Sequence, residues 1–302
     1  MTRHITAGDL SPISIQNETT YGQADGTDIL YADVRPDGGK FTPTDTPTPY
    51  LAWRYGSRSF DPADYVTRQN DAGFSASVEV RDIDGWERII EGATGNGGTS
   101  AYGSLPSRTE AVYVRTDSSA WQGRIYHGCK TDTLTISCDA PGGIVAFDET
   151  VLASYGADSN LNAAKAVWTV SDAPAVQWMD GVTVGGVSLY PQSFKITVGN
   201  AIERKRGHID GEAVTVALLE GRRSIDVELD LWMEDLDYMR GAINNGAVGN
   251  IVLTLGIDNP VEITLTGIRW IADGTNPDLI QDKQRETLRL RATAMTLADP
   301  EE

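Results

Sequence analysis

Apolar and polar residues alternate over several stretches of this chain, the period of two expected of strands with one buried face. Phe74, Ala76, Val78 and Val80 alternate with Ser75, Ser77, Glu79 and Arg81. Phe194, Ile196 and Val198 alternate with Lys195, Thr197 and Gly199. Ile225, Val227, Leu229 and Leu231 alternate with Asp226, Glu228 and Asp230, the cleanest half-buried strand of all. Further strands are predicted at 51–60, 111–115, 250–257, 261–271 and 285–295. Residues 182–190 read as two short strands about Gly185-Gly186, a tight-hairpin signal. Helical spacing occurs only twice, at Trp86, Ile89 and Ile90 and at Leu236, Met239 and Ile243. Asp82 and Asp84 precede the first stripe and Glu234 and Asp235 the second, where acidic residues cap helix N-termini. The pattern predicts a mainly β protein with one helix per half.

The order of these elements recurs. Residues 73–93 (GFSASVEVRDIDGWERIIEGA) and 221–242 (GRRSIDVELDLWMEDLDYMRGA) each give an alternating strand, an acidic turn and an apolar helix ending near Gly-Ala. A strand follows in each, AVYVR at 111–115 and NIVLTL at 250–255. Residues 128–153 and 267–297 each open on a glycine and end in an alternating strand. Either one module is written twice, or two β-rich halves match by chance. On duplication, Val78 aligns with Val227 and Glu79 with Glu228. The domain plan is an N-terminal arm and extended segment at 1–50, a first module at 51–155, a linker at 156–175, a second module at 176–297 and an acidic tail at 298–302. The first 50 residues end in FTPTDTPTPY, which favours extended backbone. They are either a tail without a core or an arm that docks on a neighbour. Residues 92–110 are a loop by composition.

Charge narrows the setting. The chain of 302 residues carries 25 basic and 43 acidic residues, a net charge of −18, and lysine is scarce. Such a charge opposes compaction by self-repulsion, which near-molar salt screens over about 3 Å. The composition fits a protein that lives in brine, the other reading being an ordinary acidic protein. Acidity also opposes tight binding to a phosphate backbone, which requires Lys and Arg. No apolar run approaches the roughly 20 residues of a membrane helix, and the N-terminus has no apolar signal core. The chain is therefore expected to stay in the cytoplasm until it is assembled. Cys129 and Cys138, on one extended strand, would stand about 30 Å apart, too far for a disulfide.

No catalytic, cofactor-binding or metal-binding residue is predicted. His4, His127 and His208 have no metal-ligand spacing, and His127 beside Cys129 lacks a third group. No nucleophile elbow or phosphate loop occurs; Gly92, Gly95, Gly97 and Gly98 follow a helix where a phosphate cradle must open one. Glu203-Arg204-Lys205-Arg206 is the one dense basic patch. It is either a solvated strand end or a set of inter-subunit contacts to an acidic neighbour.

From Tyr126 onward the chain resembles the tail tube (major tail) proteins of long-tailed double-stranded DNA viruses. The resemblance rests on YHGCKTDTLTISCDAPG, SFKITVGNAIERKRG and EGRRSIDVELDLWMED with its following helix, in that order. LAWRYGSRSF and the 73–93 strand and helix fit the same family, so it covers roughly residues 50–297. It implies a β-sandwich or barrel module with one flanking helix, whose inner sheets join between subunits into a hollow tube in the virion tail, assembled in the host cytoplasm. It implies no enzyme and no cofactor. The implied partners are further copies of the chain, other tail proteins such as tape measure, tail terminator and baseplate, and viral DNA in transit without tight binding. Single-module relatives close a ring with six copies. Two modules per chain would then give a trimer with pseudo-six-fold symmetry, the alternative being a hexamer. Glu79, Asp226, Glu228 and Asp230 are candidates for the lumen face, or lie on the outer solvent face. With the brine signature, the host would be a haloarchaeon. The competing class is an acidic β-sandwich adhesin or carbohydrate-binding module, which the scattered Trp168, Trp178, Trp232 and Trp270 disfavour.

Overall fold

The computed structural model describes residues 12–23, 30–34, 42–43, 46–51, 65–79, 83–95, 105–115, 121–161, 178, 182–209, 212–232, 249–255, 261–271 and 285–298. The first half contributes β1 (Pro12–Asn17), β2 (Leu30–Val34), β3 (Thr42–Pro43), β4 (Thr46–Leu51), β5 (Tyr65–Glu79), α1 (Ile83–Thr94), β6 (Arg108–Arg115), β7 (Trp121–Cys138), β8 (Ala146–Ala153) and β9 (Tyr155–Leu161). The second contributes β10 (Val182–Val184), β11 (Val187–Leu189), β12 (Ser193–Gly199), β13 (Glu203–Ile209), β14 (Glu212–Leu219), β15 (Ser224–Trp232), β16 (Ile251–Leu255), β17 (Val261–Thr266), β18 (Arg269–Trp270), β19 (Arg285–Ala292) and β20 (Ala294–Ala298). The protein is mainly β, as the alternation predicts.

One antiparallel sheet runs through both halves, because β12 pairs with β7 from Phe194↔Cys138 to Gly199↔Thr133. Across β19, β15, β12, β7, β8 and β5 a single row of partners reads Leu290, Val227, Ile196, Ile136, Phe147, Val78. All six are buried, at no more than 2% exposure. Burial of each such side chain stabilises by about 1.5–3 kcal/mol, so this row ties the halves into one core. The same core takes in Ile13 and Ile15 of β1 and Leu253 and Ile263 of the second half. Trp178 plugs the join. It is buried, sits edge-on to Phe194 at 5.0 Å, and exchanges backbone hydrogen bonds with Gly142 and Gly143.

Behind this sheet each half builds a second layer by the same pairing scheme. In the first, β6 pairs with β1 and β7, and β1 pairs with β2. In the second, β16 pairs with β10 and β17, and β10 pairs with β11. β9 pairs with the first part of β7 as β20 pairs with β17. The β10–β11 turn is Gly185-Gly186, with φ of 58° and 86°, the left-handed pair that a type I′ hairpin requires. Gly128 and Gly267 also correspond. Each has positive φ (62° and 65°) and lies against the hydroxyl residue that interrupts the closing strands, Ser154 or Thr293. In each, that residue donates its N–H to the carbonyl before the glycine, Ser154 to His127 and Thr293 to Thr266. α1 buries Ile89, Ile90 and Ala93 and contacts β2, β7, β12 and β20.

Four expectations change. Register aligns the halves differently: Phe74 pairs with Val151 as Val227 pairs with Leu290. The counterpart of Val227 is therefore Phe74, not Val78, which corresponds to Leu231. Strands of period two match equally well at any even shift, and only the Ser154 and Thr293 breaks decide. Residues 12–17, placed in a coreless arm, form a strand whose Ile13 and Ile15 are buried while Ser14 and Gln16 take the other face. Residues 156–161, placed in the linker, belong to β9, which starts at Tyr155. Within 92–110, α1 reaches Thr94 and β6 starts at Arg108. The helix expected at 236–243, Trp168, and the strand predicted at 51–60 beyond Leu51 lie outside the described residues.

Candidate functional site

The alternation that buries one face of the six-strand sheet fills the other with polar groups. One row of partners reads Arg291, Asp226, Thr197, Thr135, Asp148, Ser77. The neighbouring row holds Arg289, Glu228, Lys195 and Ser137. Arg291 Nε donates to Asp226 at 2.7 Å, and Arg289 Nε lies 3.2 Å from Glu228. The hydrogen bond and charge of Asp226 raise the Arg291 pKa. Ser77 donates to Asp148, Ser75 lies 3.2 Å from Thr150, and the Thr135 and Thr197 hydroxyls are 3.5 Å apart. A groove of about 470 Å³ crosses this face, lined by Thr135, Ser137, Asp148, Lys195, Glu228 and Asp230. Its walls are mostly hydroxyl and carboxylate, with Lys195 and Phe194 among them, unlike the mostly apolar lining of a small-molecule site.

Three of the four acidic residues expected on a functional face, Asp226, Glu228 and Asp230, thus share this surface. Glu79 lies at the end of β5, paired through its backbone with Asp33. The described acidic residues here, Asp139, Asp148, Asp226, Glu228 and Asp230, outnumber the cations Lys195, Arg289 and Arg291. The surface does not form the concentrated positive field that phosphate binding needs.

The basic patch falls elsewhere. β13 and β14 form a hairpin that folds onto the first half. Arg204 donates to the carbonyl of Ala153 at 2.5 Å and to that of Ala72, and Arg206 Nη2 lies 3.1 Å from Asp71. Arg204 and Arg206 therefore have partners within their own chain, while Glu203 and Lys205 are exposed. The Asn that follows the 193–199 strand in SFKITVGNAIERKRG belongs to the join between the halves. Asn200, 2% exposed, donates from Nδ2 to the carbonyls of Ala93 and Thr131, each at 2.9 Å, and from its backbone to that of Asp132. Lys130 Nζ meets Glu220 at 2.6 Å, and Glu220 also accepts from the Leu105 N–H. The join between halves is a built interface of strand pairing, a buried amide and ion pairs.

A second set of groups escaped sequence reasoning. Arg108 is fully buried under α1. Its Nη2 lies 2.7 Å from Glu149, 2.8 Å from Glu110 and 2.6 Å from Thr131, and its Nη1 donates to the carbonyl of Arg88. Burial pushes the Glu110 carboxyl up to about 8, with Arg108 opposing and Glu149 and Glu18 adding to the rise. Burial raises the Cys129 thiol well above its ordinary value, and Glu110 adds to this. Cys129 donates to the carbonyl of Tyr126, while the His127 ring meets the Thr109 hydroxyl and stacks on Tyr155. His127 and Cys129 are therefore engaged separately and form no dyad. Cys138 is likewise buried and outside any disulfide, and its thiol donates to the carbonyl of Ala140 at 3.1 Å. Among the described residues no cluster of three or more His, Cys, Asp or Glu could hold a metal, and no helix is long and apolar enough to cross a membrane.

A two-layer β architecture with a hydroxyl-rich polar face, and sheet ends that pair with no further described strand, suits a wall-building subunit. The family model for phage tail tube proteins matches residues 8–294. The chain belongs to the phage tail tube protein family. No curated protein matches it. Membership makes it a structural component of a virion tail that self-assembles with other tail proteins. The match extends into the first 50 residues, in keeping with β1 and β2 being part of the sheet.

Proposed function

We propose that this chain closes into rings that stack as a hollow tube, with the polar face of the six-strand sheet lining the lumen through which viral DNA passes. The observation that carries this is the unbroken polar row from Arg291 to Ser77. A conduit must hydrate DNA without holding its phosphates. Hydroxyls, carboxylates and ion-paired arginines do that, where unpaired cations would retain the polymer. Asp226, Glu228 and Asp230 are its acidic elements, with Glu79 as a fourth candidate. Because the two halves follow one pairing scheme and lie side by side in one sheet, three chains would supply six modules. The ring is then a trimer with pseudo-six-fold symmetry, a hexamer of whole chains being the alternative. Closure fixes strand number, tilt and diameter together. Assembly in the host cytoplasm, contacts with tape measure, tail terminator and baseplate, and a haloarchaeal host complete the proposal. The last rests on the net charge of −18.

Electron cryo-microscopy of the assembled polymer tests this. Three chains per ring are expected, with Asp226, Glu228 and Asp230 on the lumen wall. Six chains per ring, or those residues on the outer surface, would overturn it.

A further inference from the structure

We infer that copies of this chain join head to tail by repeating, between chains, the joint that links the two halves within one chain. This rests on the ring assembly proposed above and specifies its seam. The main path through the described sheet ends at β3 and β18, with β4 and β9 branching from β5 and β7, and each of those two ends matches one side of the internal joint. β18 pairs with β19 as Arg269↔Arg291 and Trp270↔Leu290. β7 pairs with β8 at the equivalent places, Lys130↔Leu152 and Thr131↔Val151. Ile271 continues β18 by donating to the Arg289 carbonyl at 3.2 Å and is the counterpart of Asp132. At the other end β3 pairs with β5 as Thr42↔Ser75 and Pro43↔Phe74. β12 pairs with β15 in the same register, Lys195↔Glu228 and Ile196↔Val227. One step on, Thr46↔Asp71 corresponds to Gly199↔Ser224.

β3 with β4 therefore stands where β12 stands in the second half, and β18 stands where the last part of β7 stands in the first. Within the chain, those two sides are joined by strand pairing. Between chains, the β18 end of one copy meets the β3–β4 end of the next, and the contact is heterologous and ring-forming. The occupant of each open end is a second copy, because each end already has the backbone register of its partner. An unpaired edge is otherwise a site of uncontrolled association. The copy is imperfect at Pro43 and Pro47, which stand in the places of Ile196 and Asn200. Asn200 donates its N–H to Asp132, whereas its counterpart Pro47 has no N–H. The seam between chains thus lacks a hydrogen bond that the internal joint has, so rings come apart into folded chains before the halves separate. Exposed Arg269 is the counterpart of Lys130, whose ammonium meets Glu220 across the internal joint.

Paired cysteines test the seam in the full chain. Ile271→Cys combined with Thr46→Cys or Pro47→Cys is oxidised after assembly and run on a non-reducing denaturing gel. Thr135→Cys with Thr197→Cys, whose hydroxyls lie 3.5 Å apart, is the control and gives an intrachain link only. Covalent species larger than one chain are expected from a seam pair and not from either single variant. If tubes form and the control oxidises but neither seam pair links chains, the seam is wrong while the tube stands. If the wild-type chain yields no rings or tubes, the assembly proposal fails and the seam with it. Arg269→Glu supplies a second readout. It should leave melting unchanged and raise the concentration needed for assembly at least several-fold; unchanged assembly counts against the seam.

Discussion

The buried ionic group of Arg108, Glu110 and Glu149 should cost stability when broken and little when replaced whole. Register identifies what the second half uses instead. Glu110 pairs with Tyr126 as Ile251 pairs with Leu265, and Glu149 pairs with Ala76 as Leu288 pairs with Leu229. Ile251 and Leu288 are both buried, so the second half builds the same strand pairs with apolar side chains. Arg108→Met alone leaves the Glu149 carboxylate and the largely protonated Glu110 carboxyl in the core without their cation, and removes the hydrogen bond to Arg88 on α1. Breaking a buried ion pair from one side costs about 3–5 kcal/mol, whereas exchanging the whole group for apolar residues of similar volume is neutral or stabilising by about 1–4 kcal/mol. The lost bond to α1 subtracts about 1 kcal/mol from the second figure. Urea unfolding of the full chain at pH 7 and fixed high salt, followed by circular dichroism, measures both. The triple variant Arg108→Met, Glu110→Ile, Glu149→Leu should recover most of what Arg108→Met loses. A single variant costing under about 1 kcal/mol, or a triple variant no more stable than the single, would refute the reasoning.

Three further outcomes are expected. Glu110 binds its proton more tightly in the folded state, with a value of about 8 against 4.5, so its contribution is full below pH 4.5 and is lost as pH rises through 8. The stability of wild type minus that of Glu110→Gln should fall across this window, by at most roughly 5 kcal/mol; a flat difference in urea midpoints refutes it. Gly267→Ala should cost at least about 1–2 kcal/mol, since its φ is 65° and the added methyl would lie 2.0 Å from Thr293 Oγ1. Thr293→Ala in the same chain should restore part of the loss, and strict additivity in the double-mutant cycle would contradict the contact. The melting temperature should rise between about 0.1 and 3 M salt as self-repulsion is screened; a flat or falling curve sinks the brine adaptation.

The faces of the fold were legible from the sequence, and its pairings were not. Alternation at 193–199 and 225–231 fixes which residues enter the core, because the side-chain period of a strand is two. The same property makes alternation blind to register, since a shift of four residues preserves every in and out assignment. That is why Val227 aligned with Val78 and not with Phe74. Short strands such as β1 and β9 were hidden by their polar content. Pro12–Asn17 carries only Ile13 and Ile15 on its buried face, and Tyr155–Leu161 reads as polar loop. The acidic face was visible because Asp226, Glu228 and Asp230 sit on a clean strand. Arg204 and Arg206 were visible as a patch, but only the hairpin fold shows that Asp71, Ala72 and Ala153 receive them.

Glu149 shows how a single position can carry more than its neighbours suggest. In AFDETVLA it shares parity with Phe147, Val151 and Ala153, so alternation alone places a carboxylate in the core. Burial of an unpaired charge is prohibitive, so a cation had to be near. Arg108 lies on a different strand, and only the β6–β7–β8 pairing brings it there. The second half, free of this constraint at Leu288, keeps the same architecture. The ionic group is therefore not required by the fold, and its cost is borne by one half alone. What it secures is local. Arg108 holds α1 from the first half through Arg88, while Asn200 and Arg223 of the second half hold the same helix at Ala93 and Thr94. α1 is thus gripped from both sides of the internal joint. Loosening Arg108 should weaken the join between halves as well as the core beneath the helix.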